Sequence, residues 1–136
     1  AFKRKKPLKR ESLFTIKGED SKSENEFYDF ANINCDTYEK KNLVLSVSGH
    51  LKTFKKFNSL ILVVASKLKD GSDGRYLYYS FETAYQGQLI NDDFLHHFVI
   101  ENIASDETEL KIYLWNRTLS STQLTNVSAT IYELKE

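Results

Sequence analysis

The sequence predicts an all-β fold, a two-layer antiparallel β-sandwich of about seven to eight strands. Three observations carry that reading. Leu110, Ile112 and Leu114 alternate with Lys111, Tyr113 and Trp115; after a polar loop over 116–121, Val127, Ala129 and Ile131 alternate with Ser128, Thr130 and Tyr132. A period of two puts apolar side chains on one face and aromatic or hydroxyl ones on the other, as in sheets packed on a core. Segments of this kind recur about every ten to twenty residues. No apolar period of three to four runs for three turns, so helices are not expected to build the core.

The elements follow in order. Residues 11–17 read as a first strand ended by Gly18, and 19–26 as an acidic loop. Residues 26–33 carry Phe27, Tyr28 and Phe30 and fit either an edge strand or an aromatic-pinned loop. In 42–51, Leu43, Leu45 and Val47 oppose Val44, Ser46 and Ser48. Residues 59–68 are apolar at consecutive positions, which suits a central strand covered on both faces. The stretch 69–74 is a tight turn, since Gly71 and Gly74 can take positive φ. Residues 75–84 return with Leu77, Tyr79 and Phe81 on one face and Tyr76, Tyr78, Ser80 and Glu82 on the other. A loop over 85–93, a strand over 94–102 and an acidic turn over 104–109 lead into the last two strands.

The totals bound the function. With 136 residues the chain suits one domain, read as 11–136, preceded by a basic arm over 1–10 that holds the only proline. The arm is read as a solvated linker to a preceding domain; the other reading is a cationic tail for phosphate or anionic lipid. Basic and acidic residues balance at 19 each, so no net field favours nucleic acid. No apolar run reaches the roughly 18 residues of a spanning helix, so membrane insertion is not expected. The lone Cys35 rules out an internal disulfide and a cysteine zinc site. No methionine occurs, so the chain is read as a processed product or a piece of something larger.

Several short stretches then stand out together. Leu60 to Val64 lead to Asp70-Gly71, an aromatic return strand runs from Tyr76 to Phe81, Tyr113-Leu114-Trp115-Asn116 closes a later strand, and Asn126-Val127 opens the last. This order, over about residues 42–134, resembles the jelly-roll sandwiches of the galactose-binding-like and carbohydrate-binding-module type. The resemblance implies a jelly-roll sandwich and an extracytoplasmic accessory module. Structural calcium in that family sits between an early acidic segment and an acidic step before the last strand. Here Glu19 and Asp20 are kept but Thr125-Asn126 replaces the later acid, so no metal is assigned.

Aromatic side chains are the strongest candidate for chemistry. Tyr76, Tyr78, Tyr113 and Trp115 lie opposite the apolar faces, and flat rings suit the C–H faces of sugars. Glu82 and Asn116 are the polar groups expected to fix orientation. The competing reading packs these rings beneath a loop or an N-terminal segment. His96 and His97 are adjacent on a strand, point to opposite faces and cannot share a metal. Asp70, Asp73, Asp92 and Asp93 fit turns better than a glycosidase pair. No Gly-x-Ser-x-Gly, phosphate loop or Cys/His signature occurs, so neither catalysis nor a cofactor is expected. Asn116-Arg117-Thr118 and Asn126-Val127-Ser128 match the glycosylation pattern at chance frequency.

The sequence thus predicts a non-catalytic accessory module of a larger exported or surface protein, with glycan as its candidate ligand. The rival is a structural or protein-interaction domain whose aromatic face is covered by a neighbouring domain or subunit.

Overall fold

A computed structural model of the chain describes residues 9–17, 21–23, 26–54, 60–117 and 122–135. It holds nine strands and one short helix: β1 (Lys9–Lys17), β2 (Ser21–Ser23), β3 (Phe27–Asn34), β4 (Leu43–Thr53), β5 (Leu60–Leu68), β6 (Asp73–Ser80), α1 (Phe81–Ala84), β7 (Asn91–Ile100), β8 (Glu107–Asn116) and β9 (Thr122–Lys135). The apolar alternation of the sequence is realised strand by strand. β1 begins at Lys9, two residues inside the stretch read as a basic arm.

The chain behaves as one long antiparallel hairpin that has been rolled up. Its tip is the turn between β5 and β6, where Gly71 takes φ +85° and Asp70 Oδ1 accepts from the Ser72 N–H at 2.9 Å. Working back from that tip, β5 pairs β6, β4 pairs β7, β3 pairs β8 and β1 pairs β9. Rolling adds the β4–β9 and β5–β8 ladders. The result is two sheets, β1-β9-β4-β7 (with β2 on the far stretch of β9) and β3-β8-β5-β6. Nested pairing of this kind in two facing sheets is the jelly roll.

Between the sheets lies one core. Leu43, Leu45, Val47 and Leu51 of β4 and Leu124, Val127, Ala129 and Ile131 of β9 face Leu60, Leu62 and Val64 of β5 and Leu110, Ile112 and Leu114 of β8. Leu124 and Val127 are three apart yet both inward because the β4–β9 register shifts between Ser48 and His50, beside Asn126 at φ +55°. Truncating a fully buried member such as Leu114 to alanine costs roughly 2–5 kcal/mol.

Segment 26–33, read as an edge strand or an aromatic-pinned loop, is the edge strand, with β3 pairing only β8 among the described residues. Two departures from the sequence reading have physical causes. β2 has no apolar pattern and exists because the 14-residue β9 runs on beyond β1. The return strand stops at Ser80, whose hydroxyl caps α1 by accepting from the Thr83 N–H at 3.2 Å. Of the expected loop over 116–121, residues 118–121 lie outside the described residues.

Candidate functional site

The outer face of the β3-β8-β5-β6 sheet is built by strand register. Phe27, Trp115, Ile61 and Ser80 form one row across it, Asp29, Tyr113, Val63 and Tyr78 the next, and Asn32, Lys111, Ala65 and Tyr76 a third. Aromatic residues therefore occupy β3, β8 and β6, while aliphatic β5 runs between them. Val63 is fully buried although it points outward, flanked in its row by Tyr113 and Tyr78. This explains the uninterrupted apolar run of β5.

The rings fall into two groups. Phe27 stacks on Trp115 with centroids 5.7 Å apart and meets Tyr113 edge-on at 6.0 Å. The Arg117 guanidinium lies 4.9 Å over the Trp115 ring, and Trp115 Nε1 donates to Glu26 Oε2 at 3.1 Å. Trp115 is thus held on several sides and half-buried. The second group is open. Tyr76 and Tyr78 are 48% and 61% exposed, their centroids 6.1 Å apart and their planes tilted by 43°.

Tyr76 and Tyr113 lie near enough for each hydroxyl to feel the other, which joins the two groups. Partial burial pushes both hydroxyls up from the ordinary phenol value, with neighbouring Tyr76, Asp73 and Asp29 adding to the effect on Tyr113. Both phenols stay neutral near pH 7 and can donate as well as accept. The face offers open aromatic surface, hydroxyls with two-way hydrogen bonding, and exposed Asp29 at its margin.

Four of the six predicted site residues, Tyr76, Tyr78, Tyr113 and Trp115, come together here. Two do not. Asn116 shares the parity of Leu110, Ile112 and Leu114, so its side chain points into the core and is fully buried. The same burial removes it as a glycosylation acceptor in the folded chain. Glu82 lies on α1 because the strand ends at Ser80, so strand alternation no longer governs where it points. Phe27 belongs to the face and was missed, because its place depends on the pairing of β3 with β8.

Elsewhere, the adjacent histidines diverge as expected. His96 turns inward and stacks on Tyr79 at 4.2 Å; His97 turns outward and meets Ser46 Oγ at 2.6 Å. A depression of about 260 Å³ at one end of the sandwich is lined by Cys35, Asp36, Glu39, Lys69, Ala104, Ser105 and Glu107. Its deepest acid, Glu107, is already held by Arg75. Among the described residues, no three His, Cys, Asp or Glu side chains are grouped to hold a metal ion, and no helix is long and apolar enough to cross a membrane.

The site is thus an aromatic sheet face on a jelly-roll sandwich. No protein-family model matches the sequence, and a comparison with curated proteins gives no match. Solved structures do resemble it. One is a chain of the infectious bursal disease virus Gt strain, with TM-score 0.58 and 13% identity over 93% of this chain and 33% of that one. Another comes from the T13 viral particle of the same virus, with TM-score 0.55 and 16% identity over 88% of this chain and 30% of that one. A third is the CBM22-1 xylan-binding domain of Paenibacillus barcinonensis Xyn10C, with TM-score 0.52 and 11% identity over 93% of this chain and 97% of that domain. The chain spans about a third of the two viral chains and nearly all of the xylan-binding domain. At such identities the likeness is one of fold: a jelly roll of the kind seen in carbohydrate-binding modules and viral particles.

Proposed function

We propose that the chain is a non-catalytic accessory module of a larger exported or surface protein and that it binds carbohydrate on the outer face of β3-β8-β5-β6. The observation that carries this is the open pair Tyr76 and Tyr78 beside the hydroxyl of Tyr113. Pyranose rings present C–H faces that stack on exposed aromatics, and their hydroxyls need neutral partners that donate and accept. The match in extent to a xylan-binding domain supports the reading. Affinity electrophoresis and calorimetry against a panel of soluble polysaccharides, xylan among them, test it. Binding that falls at least about tenfold in Tyr78→Ala, with the fold intact, is the expected result. A folded wild-type chain that binds no member of the panel would overturn it.

The second reading is a structural or interaction domain whose aromatic face is covered by a neighbouring domain or subunit. It draws support from the exposure of Phe27, Tyr76 and Tyr78 on one sheet and from the two viral chains, in which the matched part is about a third of the whole. Protection of Tyr78 from iodination in the full-length parent protein, with no glycan response from the isolated chain, would favour it.

A further inference from the structure

Seven large apolar side chains are exposed among the described residues, and they divide between the two sheets. Phe27, Tyr76 and Tyr78 lie on the face already described. Leu95 and Val99 are outward on β7 of the other sheet, and Phe54 and Leu89 lie just past the ends of β4 and β7, where the backbone bond from Thr53 N–H to Ile90 O continues the pairing. This second set is mostly aliphatic and gathers along an edge strand. Aliphatic side chains beside an unpaired row of backbone donors and acceptors suit another strand.

The edges differ in how they are guarded. β3 carries a register shift between Asp29 and Ala31, and β6 pairs β5 across a shift between Ala65 and Lys67. β7 pairs β4 over ten residues without a shift and contains no proline, glycine, lysine or arginine. Among the described residues nothing pairs with its outer side. Its only formal charges at neutral pH are Asp92 and Asp93, at one end.

We propose that β7 pairs antiparallel with β7 of a second copy of this chain, about a two-fold axis at Leu95. Antiparallel symmetry then fixes every outward pair. Leu95 meets the partner's Leu95, 61% exposed in the single chain, and His97 meets the partner's Asp93 on each side of the axis. The chemistry of that pair is complementary. His97 has Ser46 Oγ at Nδ1; when Ser46 donates there, the hydrogen sits on Nε2 and is available to a carboxylate. Asp93 holds His50 through Oδ1 and keeps a side chain 88% exposed. Val99 falls opposite the partner's Asn91, beyond the His97–Asp93 pair. Registers shifted by two residues either way lose the His–Asp match and set Asp93 against Val99 or Leu95.

A two-fold axis normal to the joined sheet leaves the second layers of both copies on the same side. Both aromatic faces then look the same way. On the glycan reading, and only on it, one polymer could be held at two points.

The test is the oligomeric state in the absence of any glycan. Sedimentation of the chain at about 100 μM is expected to show a dimer, weakened at least about tenfold by Leu95→Lys, which sets two cations on the axis. Far-UV circular dichroism checks that this exposed substitution leaves the fold intact. Leu95→Cys should oxidise to a covalent dimer, since partners on the axis lie about 5 Å apart. Val99→Cys should not, with its copies roughly 27 Å apart. His97→Asp should weaken association, and adding Asp93→His should restore it. A monomer at that concentration overturns the proposal. So does a dimer indifferent to Leu95→Lys, or one lost instead in Tyr78→Ala, which would place the contact on the aromatic face.

Discussion

Arg75 on β6 grips Glu107 at the start of β8 at two points, Nε to Oε2 at 2.9 Å and Nη2 to Oε1 at 2.7 Å. The same guanidinium donates to the Glu101 carbonyl at 3.0 Å, and Glu107 also accepts from the Ala104 N–H at 2.9 Å. One ion pair thus fastens the end of β6 to the turn before β8. Its partners are 24% and 4% exposed at the side chain, so neither charge can find much water if the other is removed. Arg75→Ala is expected to cost about 3–5 kcal/mol in urea unfolding, more than any surface ion pair.

Glu107 also sets an acid limit on stability. Burial alone would raise its carboxyl, but the hydrogen bonds from Arg75, Ala104 and Ser66 win and hold it down to about 2 from an ordinary 4.5. A lowered acid contributes stability that is complete above pH 4.5 and is lost as pH falls toward 2. Melting curves should therefore drop steeply across that window. Glu107→Gln should flatten the drop while lowering the plateau at pH 7. A drop unchanged in Glu107→Gln would assign it to other carboxylates.

Much of this was legible in the sequence, and the misses are instructive. Alternation placed Leu110, Ile112 and Leu114 inside because a half-buried strand leaves its period on the chain. The continuous run of β5 gave its double coverage. Asn116 was legible too, since it shares the parity of Leu114; its chemistry drew it wrongly to the surface. Glu82 was misplaced because Ser80 is an N-cap, a helix signal that outweighed the preceding strand pattern. The place of Phe27 on the aromatic face and the existence of β2 could not be read. Their positions come from pairing with β8 and β9, far away in the sequence, and no local pattern encodes that register.

The two groups of rings should respond differently to truncation. Phe27 is 51% exposed but stacks on Trp115, so Phe27→Ala should cost about 0.5–1.5 kcal/mol for the lost ring pair and shift the tryptophan emission to the red. Tyr78→Ala should change stability by less than about 1 kcal/mol, because its ring is 61% exposed. Equal emission shifts in the two variants would contradict the grouping.

His50 and His96 offer a titration test with opposite signs. His50 is bracketed by Asp93 Oδ1 at Nδ1, 2.7 Å, and Asn91 Oδ1 at Nε2, 2.8 Å, so both nitrogens favour carrying hydrogen. The bond to Asp93, then that to Asn91, raises it above 6.5. Its stabilising contribution is present below pH 6.5 and is lost as pH rises through the raised midpoint. His96 is lowered, first by burial and then by nearby His97. Its contribution is complete above pH 6.5 and is lost as pH falls through the lowered midpoint. Imidazole proton shifts followed by NMR should give a His50 midpoint above 6.5 and a His96 midpoint below it. Reversal of that order would mean that the His50 bridge does not persist in solution.

Cys35 reports on opening of the same end of the sandwich. Its side chain is 1% exposed with Sγ 3.9 Å from the Ile33 carbonyl, and burial, reinforced by the Glu107 carboxylate, pushes the thiol up to about 11. Thiolate is the reactive form, so a thiol reagent at pH 8 should label the folded chain at least about a hundredfold more slowly than the urea-unfolded one. Arg75→Ala should shorten the gap, because the clamp on Glu107 ties down the turn that borders Cys35. Labelling that is fast in the wild type would show that this end opens without global unfolding. Labelling equally slow in both chains would show instead that the sheets, rather than the Arg75 clamp, keep the thiol closed.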